Sequence, residues 1–74
     1  RWYFEGNART LNVLLTGIND AVDVEVAEKA NVEDEEVVTR YSVKGKTKLV
    51  VESPSPYVKV SASLPISATL SAVY

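Results

Sequence analysis

From Val58 to Tyr74 every even-numbered residue is apolar: Val58, Val60, Ala62, Leu64, Ile66, Ala68, Leu70, Ala72 and Tyr74. The odd positions between them are mostly small and polar, with Pro65 and Val73 the exceptions. Side chains alternate faces along a β-strand, so a period of two describes a ribbon with one oily face and one wet face. Drawn straight, the last eighteen residues would run about 60 Å, at about 3.3 Å per residue. A chain of 74 residues folds into a body with a radius of gyration of about 11 Å, roughly 30 Å across. The ribbon is too long to be one internal strand. Either it bends at Pro65 and passes from one sheet to another, or part of it leaves and pairs with a neighbouring subunit.

Charge bears on that choice. Lys59 is the last charged side chain, leaving fifteen uncharged residues behind it. Exposed edge strands usually carry Lys, Pro or a bulge that discourages pairing with other chains. Here only Pro65 serves, and Ile66–Tyr74 has no such protection. A segment built to lie in a partner's sheet needs this composition, and so does a strand buried in its own domain.

The remainder of the chain reads as further strands. Trp2 and Phe4 alternate with Tyr3 and Glu5 ahead of a Gly6-Asn7 turn. Leu11, Val13 and Leu15 share one face of a second strand and Leu14 sits on the other, which predicts cover on both faces. The stretch 20–31 is ambiguous. Val22, Val24 and Val26 alternate as in a strand, whereas Asp20 suits a helix cap and Glu25–Lys29 a helical pair. Three β-branched residues at period two favour the strand. After an acidic loop, Val37–Glu52 predicts a hairpin turning at Lys44-Gly45-Lys46, and Ser53–Pro56 a rigid corner. The expected fold is all-β: a single domain spanning 1–74, a small sandwich or barrel of six to seven short antiparallel strands. The ribbon 58–74 is expected to bend at Pro65 and to be open to donation, so that a neighbour's strand completes the sheet.

Composition removes several functions. With no Cys and no His, zinc and iron–sulfur sites have no ligands, and the usual bases and nucleophiles are missing. Glu33, Asp34, Glu35 and Glu36 lack the spacing of a calcium loop and read as a solvated loop. Lys44, Lys46 and Lys48 share a strand face without interleaved aromatics in a chain of net charge −2, which argues against nucleic acid. No apolar run approaches the length of a membrane helix. Residues 20–36 hold eight acids against Lys29, a net of −7, while residues 37–74 carry +4. Such halves either stack head to tail between subunits or neutralise one another inside one domain.

The sequence therefore implies a non-enzymatic structural subunit, without metal or cofactor, whose partners are identical subunits. Assembly by β-strand addition into a filament or pilus-like structure is expected. A start at Arg1 without Met points to processing, and the expected setting is extracellular or cell-surface. The expected interface residues are Trp2, Phe4, Ile66, Ala68, Leu70, Ala72 and Tyr74. The alternative is a sandwich module from a larger secreted protein, binding carbohydrate or protein through its loops and Trp2–Phe4.

Overall fold

Alternation decides the local structure throughout. The computed structural model describes residues 1–16, 21–44 and 48–74, and among these every regular element is a strand. They are β1 (Trp2–Glu5), β2 (Thr10–Thr16), β3 (Val22–Lys29), β4 (Val37–Val43), β5 (Lys48–Glu52), β6 (Tyr57–Ala62) and β7 (Ser67–Val73). The ambiguous stretch is thus a strand from Val22 onward. The turn signals at Gly17–Asp20 and Gly45–Thr47 lie outside the described residues.

Each strand has one apolar face, which must be buried against another layer. Two antiparallel sheets result, one of four strands in the order β1-β6-β3-β4 and one of three in the order β5-β2-β7. The layer between them is aliphatic. Leu11, Val13 and Leu15 from β2, Val22, Val24 and Val26 from β3, and Val58 and Val60 from β6 are all buried, with Val43, Leu49 and Val51. Trp2 and Phe4 on β1 and Ile66, Ala68, Leu70 and Ala72 at β7 are half-buried against this cluster.

The ribbon takes the first of its two routes within a single chain. Its first half is β6, between β1 and β3; its second half is β7, paired along its whole length with β2 from Thr16↔Ser67 to Thr10↔Val73. The corner at Ser63–Ile66, around Pro65, carries it from sheet to sheet with the apolar faces of both β6 and β7 turned inward, while Leu64 at the corner itself is 47% exposed. The pockets for Ile66, Ala68, Leu70 and Ala72, expected from a neighbour, are here supplied by the chain itself, and Tyr74 is 76% exposed.

Two expectations are corrected. Residues 37–52 are not a hairpin: β4 pairs with β3 (Val22↔Val43 to Glu28↔Val37), and β5 pairs with β2 in the opposite sheet. Inward-facing Tyr41 and Val43 share one interior with Leu49 and Val51, and four intervening residues are enough to span the gap of about 10 Å between packed sheets. The true hairpin is β3–β4, closed by the acidic loop. Strand β2 is also covered on one face only, because among the described residues no layer lies outside the three-stranded sheet; Leu14 is 41% exposed.

Hydrogen bonds tie the loops at both ends of the strands. At one end the Ser63 amide donates to the Asp23 carbonyl (2.9 Å), and the Asp23 amide donates to Ser63 Oγ (3.0 Å). At the other end the Gly6 amide donates to the Pro56 carbonyl (2.9 Å), Ser53 to Arg9 (2.9 Å) and Arg9 to Val73 (2.7 Å). Gly6 has φ +154°, and a Cβ there would lie 3.3 Å from the Phe4 ring, so both backbone and space call for glycine. Glu28 Oε1 accepts the Ser55 amide at 2.8 Å in a part-buried position, fixing the proline corner to β3.

Truncating Leu11 to Ala should cost about 2–5 kcal/mol, because its side chain is fully enclosed and the cavity can collapse only partly. Urea denaturation followed by Trp2 fluorescence measures it, and a loss under about 1 kcal/mol would contradict this core. Glu28→Ala should cost about 1–3 kcal/mol by leaving the Ser55 amide without its acceptor. Hydrogen exchange at Ser55 should accelerate in that variant; unchanged protection there would show that the bond carries little weight.

Candidate interaction surface

The outer face of the four-stranded sheet follows from its register. Across β1, β6 and β3, Glu5, Tyr57 and Lys29 form one row and Tyr3, Lys59 and Ala27 the next, with Val38 of β4 completing the second. The loop after β3 turns at Asn31–Asp34, where the Asp34 amide donates to the Asn31 carbonyl (3.1 Å) and Asn31 Nδ2 to Asp34 Oδ2 (3.2 Å). The chain then brings Glu36 back to Lys59, with Nζ and Oε2 3.2 Å apart. This ion pair crosses the sheet over buried Ala27 and divides the face into two grooves. One, of about 670 Å³, runs past Trp2, Glu25, Val38 and the Pro65 corner; the other, of about 470 Å³, is lined by Tyr3, Val32, Lys29 and Tyr57.

A second feature lies at the sheet's edge. Strand β4 is exposed on both faces over most of its length: Val37 is 68% exposed and Val38 50%, and Thr39 and Arg40 are exposed beside them. Val37, Thr39, Tyr41 and Val43 face inward, opposite Glu28, Val26, Val24 and Val22, yet only Tyr41 and Val43 reach the core. The cause is the unequal width of the sheets. Strand β7 lies against β1 on one flank, so the three-stranded sheet ends short of β4 on the other, and sheet twist leaves only one end of β4 covered. Among the described residues no strand pairs with the outer edge of β4 or with that of β5.

The sequence-predicted residues distribute plainly on this frame. Trp2 and Phe4 point into the sandwich and are anchors of the core, so neither forms a platform; the exposed aromatic of the N-terminal trio is Tyr3, at 68%. The acids of the 33–36 loop do not converge: Asp34 bonds Asn31 and Glu36 pairs with Lys59, and no cluster of acids suited to a metal ion occurs among the described residues. The charged halves of the sequence meet within the chain through Glu25–Arg40 (3.6 Å) as well as Glu36–Lys59. Polarity nonetheless survives along the strands. The loop 30–36 and Glu52 lie at one end, with Lys44 and Lys48 at the other. Sequence reasoning missed the diagonal pair Tyr3 and Tyr57 and the openness of β4. The first was latent in the alternation opposite Trp2 and Phe4; the second depends on which strands become neighbours.

Lys59→Ala should lower stability by less than about 1 kcal/mol, since both members of its ion pair keep more than a third of their exposure. The difference should shrink further in about 1 M salt, where the screening length is about 3 Å. Thermal melts of both proteins at low and high salt measure this, and a larger, salt-insensitive loss would show that the lysine stem packs rather than pairs.

Comparison of the chain with family models, curated proteins and solved structures gives no match, so its function rests on these surfaces alone.

Proposed function

We propose that this chain is a non-enzymatic structural module that associates with copies of itself by β-strand addition, as a building block of an extracellular or surface assembly. One observation carries the reading: β4 is a seven-residue, β-branched edge strand exposed on both faces, with a free row of backbone donors and acceptors. An open edge of this kind is a template for another strand. Within β4 only Arg40 is charged, so the usual protection is thin. Strand addition belongs at β4 rather than at Ile66–Tyr74. Donating β7 would strip β2 of a seven-residue ladder and uncover Leu11 and Val13, whereas β4 gives up only contacts with water.

A second reading draws on the groove beside Tyr3, Tyr57 and Val32. An exposed Tyr3 and a half-buried Tyr57, flanked by Glu5, Lys29 and Glu36, suit a binding module for carbohydrate or protein. The two readings use different residues, so Tyr3→Ala abolishes ligand capture under the second and leaves association untouched under the first.

Sedimentation equilibrium over micromolar to millimolar concentrations separates them. The wild-type mass should climb above 8.1 kDa with concentration. Val38→Lys should weaken association at least tenfold, while stability changes by no more than about 0.5 kcal/mol at so exposed a site. A wild-type mass of 8.1 kDa throughout would overturn the proposal.

A further inference from the structure

We infer that the partner strand of β4 is β4 of a second copy, running antiparallel in a register centred on Val38. The inference rests on the strand-addition reading and specifies its geometry. In a two-fold antiparallel pair a residue meets itself at the axis, and residues equally distant on either side meet one another. Registers therefore differ sharply in the charges they bring together. Centring on Arg40 sets two guanidinium groups opposite each other, which is repulsive. Centring on Thr39 sets Arg40 against Val38 and leaves it without a partner. Centring on Val38 sets Arg40 of each copy against Glu36 of the other, giving two opposite-charge pairs about an apolar centre.

Three features of the chain agree with that register. Glu36 lies over the outer face of the four-stranded sheet, where it reaches Lys59, and Arg40 lies on the same face beside Glu25, so the two are correctly sided. Both keep room for another partner: the Arg40 side chain is 77% exposed and that of Glu36 38%. On the inner face the same register sets Val37 against Thr39 of the second copy, joining the two uncovered stretches of β4 into one strip of β-branched side chains. The arrangement also opposes the molecules' polarity. The acidic loop of each copy extends along the basic half of the other, towards Lys44. Two four-stranded sheets then become one of eight, within the range of open sheets.

Charge reversal tests the register. R40E places like charges at both contacts, and so does E36R; each variant alone should associate at least tenfold more weakly than wild type. Mixed in equal amounts, the two restore both opposite-charge pairs. The mixture should therefore form a one-to-one heterodimer, seen as a doubled mass in sedimentation and as a mixed species in native mass spectrometry. Circular dichroism checks that each variant is folded. If E36R disturbs the fold through Lys59, E36R/K59E restores the cis pair with reversed signs and takes its place. As an independent readout, V38C should oxidise to a covalent dimer, whereas V50C on the outer face of β5 should not, the chain having no other cysteine. Single variants that associate like wild type, or a mixture that stays monomeric, overturn the register while leaving strand addition standing. A wild-type protein that never exceeds 8.1 kDa overturns strand addition itself.

Discussion

Burial of one thin aliphatic layer holds this molecule together, and the layer has to be enclosed by strands alone. Leu11, Val13 and Leu15 on the central strand of one sheet form a single cluster with Val24, Val26 and Val60 on the central strands of the other. No disulfide and no buried polar group, among the described residues, assists them. Stability rests on keeping water from these side chains, worth about 25 cal/mol per Å² of apolar surface covered. The half-buried residues of β1 and β7 then act as a wall. Trp2, Phe4, Ala68 and Leu70 close the flank where the two sheets' edges meet.

Closing one flank has a geometrical consequence at the other. Four strands span one strand spacing more than three, about 4.8 Å. With β7 aligned on β1, the deficit falls entirely at β4. Its last residues, Tyr41 and Val43, still reach the interior, while Val37 and Thr39 stay exposed. Valines at 37 and 38 therefore do little for the monomer's core. That argues that β4's composition answers to a demand outside the isolated domain, and a second strand along its edge is the simplest such demand.

Much of this was legible in the sequence, and the division between legible and illegible is physical. Alternation is a local property: it fixed which residues are strands, including Val22–Lys29, and which face of each is apolar, and on β1 that is the face of Trp2 and Phe4, half-buried against the core. Length was equally informative, because an extended ribbon of about 60 Å had to turn at Pro65 or leave the domain. Pairing is a long-range property and left no local mark. Val37–Glu52 carries the signature of a hairpin, yet the two apolar faces are better buried across the interior than side by side. Leu14 reads as covered, but only a count of layers shows its face open to water. The exposure of β4 is a step further removed, since it follows from the relative widths of two sheets.

The electrostatics follow the same division between local and long-range order. Segment sums of −7 and +4 pointed either to head-to-tail stacking or to neutralisation within the domain. Part of that charge is neutralised within the domain. Pairing β3 with β4 and folding the acidic loop onto β6 consumes Glu25, Arg40, Glu36 and Lys59 in surface contacts of modest strength. Because each of these pairs is well exposed, it can be shared with a neighbour at little cost, whereas a buried pair would be locked. Glu33, Glu35 and Glu52 remain at one end of the strands and Lys44 and Lys48 at the other. Under the strand-addition proposal, this polarity favours two copies meeting antiparallel along β4, with each acidic end beside the other's basic end. In that proposal backbone hydrogen bonding would supply the attraction in any register, and the placement of Glu36 and Arg40 four residues apart would select one.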